Sequence, residues 1–314
     1  MNKSEFMNAL SKEVTRELSG KIEESFRIEE TIVVKMNDQK LHGLCITKGE
    51  SRTSPTIYID EAFDAFCEGE SIEYIAKRLA CSFEESLEAG PETVKSNKEF
   101  DFRDKPLGLR VLDVKRNTEF LKDIPYMDVG NDLVLICDVK LEAHGDGFYS
   151  TVVNNSVLEL IKKDKAAVFR KALQEAWDTD APVLQTMSSK LFGAPPVNYL
   201  EGEKSANSDE PMYVLSNETG VHGAAAFFYP DVQEKISTVL SDSYYALPSS
   251  TEEFIIVPEK AKIPVAKLAE MVYDINRTQV APNEVLSDSV FRFDKKTGVL
   301  MDVSKSWSGS NAYN

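Results

Sequence analysis

The amino-acid sequence predicts an α+β fold in which antiparallel β-hairpins are each followed by helices that pack on the sheet faces. The clearest hairpin joins 133–141 to 148–153 through the turn His144-Gly145-Asp146-Gly147. Helical periods follow such hairpins directly, and each is preceded by a polar residue that can cap a helix. This pattern lacks the long crossovers of a doubly wound parallel sheet.

The N-terminal part of the chain opens with a helix and continues with strands. The residues that recur at every fourth position are Phe6, Leu10, Val14 and Leu18. Strands are predicted at 32–34 and 41–47, around the turn residues Asn37-Asp38, and at 55–59.

Three helices are predicted after these strands. Asp60 and Ser71 are expected to cap the first two, and Ser82 with Glu85 has the spacing of a capping box that would open a third. A comparable order follows in the middle of the chain, where Asn154 and Asp164 are the predicted caps.

Asn154 lies 94 positions after Asp60, and the apolar residues of the two modules fall in the same register. The match indicates either an internal repeat or a coincidence, because a hairpin followed by a helix is a common unit. A third copy is predicted from Met212, with strands at 213–216 and 221–229 and a cap at Asp231.

The domain organisation follows from composition. Residues 1–192 are predicted to form an N-terminal α+β region, itself divisible into modules at about 1–105 and 106–192. The polar, proline-containing stretch 193–211 is predicted to be a linker, and residues 212–314 are predicted to form a C-terminal α+β domain. That domain should contain strands at 244–247 and 254–257, a helix after Pro264 and a final hairpin.

The charge argues against nucleic acid as a partner. The chain has 36 Lys and Arg against 52 Asp and Glu, a formal net charge of −16, and phosphate binding needs a basic patch. No apolar stretch approaches the roughly 20 residues of a membrane helix, and none near the start has signal-peptide length. We therefore expect a cytoplasmic protein that does not enter membranes.

The chemical motifs of common enzymes are missing. The sequence has neither a phosphate-binding GxxxxGK[ST] loop nor a GxGxxG turn, and it lacks a GxSxG nucleophile elbow. The four cysteines show no CxxC spacing. His144 and Asp146 could ligate a metal, but a tight turn also favours these residue types. We predict no cofactor, no metal site and no catalytic residue.

The preferred binding surface is the loop between the strands at 244–247 and 254–257. Ser249 and Ser250 could bind an anion, and Glu252 and Glu253 are paired acids suited to proton transfer. The alternative is that these residues form a plain hairpin loop. As a binding site, the loop should be exposed and should tolerate substitution.

Several stretches, in order along nearly the whole chain, resemble a family of uncharacterised bacterial proteins known as a domain of unknown function. They are Ser54-Pro-Thr-Ile-Tyr-Ile59, Leu121-Lys-Asp-Ile-Pro125, Pro211-Met-Tyr-Val-Leu215, Ala246-Leu-Pro-Ser-Ser250, Gln279-Val-Ala-Pro282 and Leu286-Ser-Asp288. The resemblance implies a cytosolic protein of gut-type bacteria and brings no assigned activity.

Three functional classes follow, and the absence of catalytic motifs favours the first. It is a non-enzymatic interaction or regulatory protein with a protein partner; its oligomeric state is left open. The others are an enzyme with an unplaced carboxylate or serine site and a small-molecule sensor. A deep cavity lined by convergent polar groups would favour the latter two, and an exposed apolar patch the first.

Overall fold

The computed structural model describes residues 1–19, 21–22, 25–48, 55–89, 105–144, 147–193, 197–202 and 210–304. The chain forms two compact units, unit 1 (Met1–Phe100) and unit 2 (Asp101–Asn314). All pairings between the named strands are antiparallel. The predicted α+β class is confirmed.

Unit 1 contains a three-stranded sheet of order β1-β2-β3 together with helices. Its elements are α1 (Lys3–Leu18), β1 (Phe26–Val34), β2 (Lys40–Lys48), β3 (Thr56–Tyr58), α2 (Asp60–Cys67) and α3 (Ile72–Ala89).

The core of unit 1 follows the predicted four-residue period. The side chains of Phe6, Leu10, Val14 and Leu18 are fully buried. They share one cluster with Leu44 of β2 and with residues of α3, so the helices cover a face of the sheet. Asn2 caps α1 in a capping box with Glu5, whose N–H donates to Asn2 Oδ1 at 2.9 Å.

Two predicted helix caps in unit 1 are wrong. Asp60 is the first residue of α2 and does not cap it; its carboxylate accepts the His42 N–H of β2 at 3.0 Å instead. Helix α3 continues through Ser82, whose hydroxyl donates to the Arg78 carbonyl of the same helix at 3.3 Å. Ser71 does cap, as predicted: its Oγ accepts the Tyr74 N–H at 3.3 Å.

Unit 2 contains two sheets and the remaining helices. Its strands are β4 (Leu107–Asp113), β5 (Tyr126–Gly130), β6 (Leu133–His144), β7 (Gly147–Val152), β8 (Pro182–Thr186), β9 (Tyr213–Asn217), β10 (Tyr244–Leu247), β11 (Phe254–Pro258), β12 (Phe291–Asp294) and β13 (Val299–Asp302). Its helices are α4 (Asn155–Ile161), α5 (Lys165–Thr179), α6 (Met187–Phe192), α7 (Val232–Leu240) and α8 (Val265–Thr278).

The smaller sheet of unit 2 has the order β4-β6-β5, with β7 paired to β6. The predicted β6–β7 hairpin is confirmed, with His144 opposite Gly147; Gly145 and Asp146 lie outside the described residues. Helix α5 packs against β4 and β6. The predicted caps Asn154 and Asp164 each accept a backbone N–H at 2.8 Å.

The larger sheet has the order β13-β12-β10-β11-β9-β8. Successive residues of β11 alternate between two apolar clusters: Phe254 and Ile256 lie in one, Ile255 and Val257 in the other. The second cluster includes Leu268 and other residues of α8, which therefore packs on that face. A strand buried on both faces explains the unbroken apolar run in the sequence.

The predicted strand at 221–229 is wrong. Residues Gly223–Phe228 form a buried 3-10 helix that packs against β9. A Cβ on Gly223 would lie 2.1 Å from Ser216 Oγ and 2.6 Å from the Glu252 carbonyl oxygen, so this position needs glycine. Phe227 stacks on Phe254 with ring centroids 4.6 Å apart. Because residues 223–227 are all buried, the sequence there lacks the polar positions that would distinguish a helix from a core strand.

The division predicted at 193–211 differs from the one in the structure. Strand β8 precedes that stretch and β9 follows it, yet the two pair from Pro182–Asn217 to Thr186–Tyr213. The stretch therefore connects neighbouring strands of one sheet, and the compact units divide after Phe100 instead.

No helix in the described parts of the chain has both the length and the apolar composition needed to cross a bilayer.

The boundary between the units can be tested by truncation. We expect residues 101–314, produced alone, to unfold in one cooperative transition followed by circular dichroism, because they contain both unit 2 clusters. Residues 212–314 alone should show no cooperative transition, since β9 would lack β8. Cooperative unfolding of 212–314 would instead favour the division predicted at 193–211.

Candidate functional site

The loop chosen from the sequence connects β10 to β11 and is more enclosed than expected. Ser249 is 7% and Thr251 2% exposed, so the expected exposure fails at these positions. A second segment covers the loop: the Thr251 N–H donates to the Glu284 carbonyl at 2.8 Å, and Ser250 forms a β-bridge with Val285. The loop thus supports residues 284–287.

The side chain of Glu252 stabilises the turn at His222. Its carboxylate accepts the His222 N–H at 2.6 Å and the Thr251 hydroxyl at 3.1 Å, and His222 Nδ1 lies 3.5 Å away. Burial alone would raise the pKa of Glu252, but the interactions with His222 and Thr251 outweigh it and lower the pKa. His222 has a positive φ of 53°, a conformation that such bonds stabilise.

Glu253 contacts a different element. Its carboxylate lies 3.5 Å from Lys190 Nζ of α6. Ser250 Oγ accepts the Glu252 N–H at 3.2 Å. Apart from the bond between Ser250 and Glu252, these contacts lead to different parts of the structure. The four predicted site residues do not converge on one point, and their role in binding stays a prediction.

A buried polar network lies at the end of β9. Asp180 accepts hydrogen bonds from Asn217 Nδ2 at 2.6 Å and Thr219 Oγ1 at 3.1 Å, and Lys140 Nζ lies 3.7 Å away. Burial raises the pKa of Asp180 despite these partners. Because both carboxylate oxygens are bonded within the protein, this network fits a structural role.

A cleft at the C-terminal end of α8 does bring polar groups together. Its volume is about 540 Å³, which is within the range of ligand sites. Polar side chains of Arg116, Asn276, Arg277 and Asp288 line one part. The apolar wall consists of Val280, Ala281, Pro282 and Val285.

Asp288 is the centre of the polar part. Arg116 Nη2 lies 2.6 Å from Asp288 Oδ2, Arg277 Nη1 lies 3.2 Å from Oδ1, and Asn276 Nδ2 donates to Oδ1 at 2.9 Å. Burial alone would raise the pKa of Asp288, but the hydrogen bonds from Asn276 and Arg277 and the charge of Arg116 lower it. The carboxylate is thus ionised at neutral pH and fixes both guanidinium groups.

Local structure orients each arginine further. The Arg116 N–H donates to Asp113 Oδ1 at 3.2 Å in the turn after β4. The Arg277 guanidinium carbon lies 3.4 Å from the centre of the Tyr273 ring, and Nη1 donates to the Tyr273 carbonyl at 3.1 Å. Arg277 also lies in the last turn of α8, where the helix dipole favours a cation.

The charges of the cleft suit an anion. Two arginines and one aspartate give the described lining residues a surplus of one positive charge, in a chain of net charge −16. The arginine side chains are 34% and 45% exposed, so a ligand can reach them. The arrangement can therefore bind a carboxylate or a phosphate, both of which match the planar guanidinium group.

Sequence reasoning missed this cleft, although two of the stretches that carried the resemblance form much of it. Gln279–Pro282 and Asp288 all line the cleft. Arg116 is distant in sequence and belongs to no motif, so neither spacing nor composition could pair it with Asp288. The predicted loop lies next to the cleft, where Ser250 forms a β-bridge with the lining residue Val285.

Comparison with known proteins places the chain in a family without assigning an activity. The model of a family of unknown function, DUF5688, matches residues 3–295, nearly the whole chain. A search of curated proteins found no significant match, and neither did a search of solved structures.

The role of Glu252 can be separated from that of Glu253. We expect Glu252→Ala to lower the free energy of unfolding by about 2 kcal/mol, because the His222 N–H loses its acceptor. Glu253→Ala, the matched control, removes one partly exposed ion pair and should cost less than about 1 kcal/mol. Urea denaturation at pH 7 measures both, and equal losses would contradict the assignment.

The same variant has a defined pH dependence. Because the pKa of Glu252 is lowered in the folded state, its stabilisation is present above the unfolded pKa of about 4.3. This stabilisation is lost as the pH falls through the pKa that Glu252 has in the folded state. The stability difference between wild type and Glu252→Ala should therefore shrink below about pH 4.

Proposed function

The chain belongs to the DUF5688 family, and we propose that it is a small-molecule-binding protein whose ligand is an anion. The ligand carries a carboxylate or a phosphate, which Arg116 and Arg277 bind in the cleft at the end of α8.

The observation that carries this proposal is the pair of fixed arginines facing one cleft. Both guanidinium groups are held by Asp288, and Arg277 is also stacked on Tyr273. Preorganised donors lose little conformational freedom on binding, so more of the interaction energy contributes to affinity. A guanidinium group has five N–H donors, and a few contacts to Asp288 leave others for a ligand.

Binding is favoured over catalysis by the other residues of the cleft. Asp288 is the one carboxylate among its described lining residues, which include no histidine, cysteine or lysine. Asp288 already accepts bonds from Arg116, Arg277 and Asn276, so it is poorly placed to accept a proton from a substrate.

The proposal includes a bacterial source and a cytoplasmic location. The family resemblance supports the source. Free thiols at Cys67, Cys81 and Cys137, of which the first two are exposed, support a reducing compartment.

A second candidate function, protein binding, is favoured by one surface. Leu191 and Phe192 at the end of α6 are 69% and 84% exposed. Adjacent large apolar side chains in solvent are typical of interaction sites. Lys190 of the same helix pairs with Glu253, so this surface borders the loop predicted from the sequence.

Thermal denaturation with four anions tests ligand binding: succinate, malate, propyl phosphate and glycerol phosphate. At a tenfold excess over Kd, a bound anion should stabilise unit 2 by about 1.4 kcal/mol and raise Tm by about 3–6 °C. Arg116→Gln and Arg277→Gln should each lower the affinity about tenfold or more, because each removes a charged donor.

The matched control is Arg170→Gln, which removes the same charge from an exposed position of α5 outside the cleft. It should leave the ligand-induced shift unchanged. The Arg116–Asp288 pair is partly exposed, so Arg116→Gln should lower the stability of the free protein by no more than about 1 kcal/mol. Loss of the shift in Arg170→Gln but not in the cleft variants would contradict the site.

Protein binding is tested by replacing Leu191 and Phe192 together with serine. Because both side chains are exposed, the free energy of unfolding should change by less than about 0.5 kcal/mol. Affinity capture from the host should lose the partners that the wild type retains. The control Ile32→Ser, at an apolar residue 56% exposed in unit 1, should retain them; equal capture by all three proteins would argue against this surface.

A further inference from the structure

We infer that the ligand of the cleft carries a hydrogen-bond donor, a hydroxyl or an amine, close to its anionic group, and that Asn276 Oδ1 accepts it. This inference rests on the proposed anion site and specifies its ligand further.

The hydrogen bonds of Asn276 fix the orientation of its amide. Nδ2 donates to the Ser287 carbonyl at 3.0 Å and to Asp288 Oδ1 at 2.9 Å. Both partners are acceptors, so the nitrogen must face them and the oxygen must face the other way. Asn276 thus presents an acceptor at a defined position.

That acceptor is buried and meets no donor within the described structure. Asn276 is 5% exposed and lines the cleft, and Oδ1 has no hydrogen-bond partner among the described residues. Buried polar side-chain atoms are nearly always bonded, so an exception calls for an explanation. A donor supplied from the cleft would satisfy it.

The acceptor is also close to the anion-binding donors. Asp288 Oδ1 accepts bonds from both Asn276 Nδ2 and Arg277 Nη1, at 2.9 and 3.2 Å. The amide oxygen of Asn276 and the guanidinium group of Arg277 are therefore within the span of one small ligand. A group that bonds to both has its donor within a few bonds of its charge.

Two chemical classes meet this requirement. One is a carboxylate with a hydroxyl or amine on the neighbouring carbon; the other is a phosphate ester of a polyol. The cleft, at about 540 Å³, accommodates a larger body beyond either head group, and its apolar wall of Val280, Ala281, Pro282 and Val285 would contact that body.

Calorimetric titration of the wild-type chain with two matched pairs of anions tests this inference. Malate is succinate with one added hydroxyl, and glycerol phosphate is propyl phosphate with two. We expect the hydroxylated member of at least one pair to bind about tenfold more tightly, because it fills an acceptor that the other member leaves unpaired. The pair that shows the preference identifies the anionic group.

Failure of this inference and failure of the proposed anion site would give different results. Binding of both members of each pair within twofold of each other would overturn this inference and leave the anion site intact. Absence of binding by all four anions would overturn both.

The variant Asn276→Ala adds a second measurement. It should abolish the preference within a pair and leave the hydroxyl-free member bound within about threefold of wild type. A retained preference would overturn the role of Asn276. Where the loss of the bonds to Ser287 and Asp288 prevents this variant from folding, the wild-type ranking decides.

Discussion

Unit 2 depends on strands that are buried on both faces. In β11 one set of side chains enters the cluster shared with the smaller sheet, and the other set enters the cluster beneath α8. Each of these strands therefore contributes to two apolar layers at once. A polar substitution on either face would remove apolar packing and bury a polar group. The position of α8, and with it the direction of Asn276 and Arg277, follows from that sheet.

Ion pairs then orient the charged side chains of the cleft. A single carboxylate, Asp288, neutralises one of two arginines and orients both. The local charge remains positive although the chain as a whole is acidic. Long-range attraction of anions is therefore weak, and short-range geometry, including the amide of Asn276, has to supply selectivity.

Much of the fold could be predicted because it depends on local patterns. The four-residue period from Phe6 to Leu18 specified α1, and the caps Asn154 and Asp164 marked two helix starts. The errors arose where the local signal was ambiguous. Residues 223–227 are all buried, so this part of the run at 221–229 has no polar face to reveal its period. The capping pattern at Ser82 lies inside a helix that tertiary packing continues.

The candidate site was less predictable than the fold. The loop at 248–253 was correctly placed between two strands, but its contacts with 284–287 depend on the folding of a later segment. The cleft needs Arg116 and the end of α8 together. No local period or spacing relates positions so far apart, and the unpaired oxygen of Asn276 is a property of the folded structure alone.

The bond between Arg116 and Asp288 has a consequence for the order in which the chain folds. These residues are 172 positions apart, so closing this contact requires nearly all of unit 2 to be in place. The cleft is therefore absent from partly folded chains, and a ligand of the cleft binds only when unit 2 is folded. Such a ligand would slow unfolding and leave the folding rate nearly unchanged, so its main effect in a cell would be on the lifetime of the folded protein.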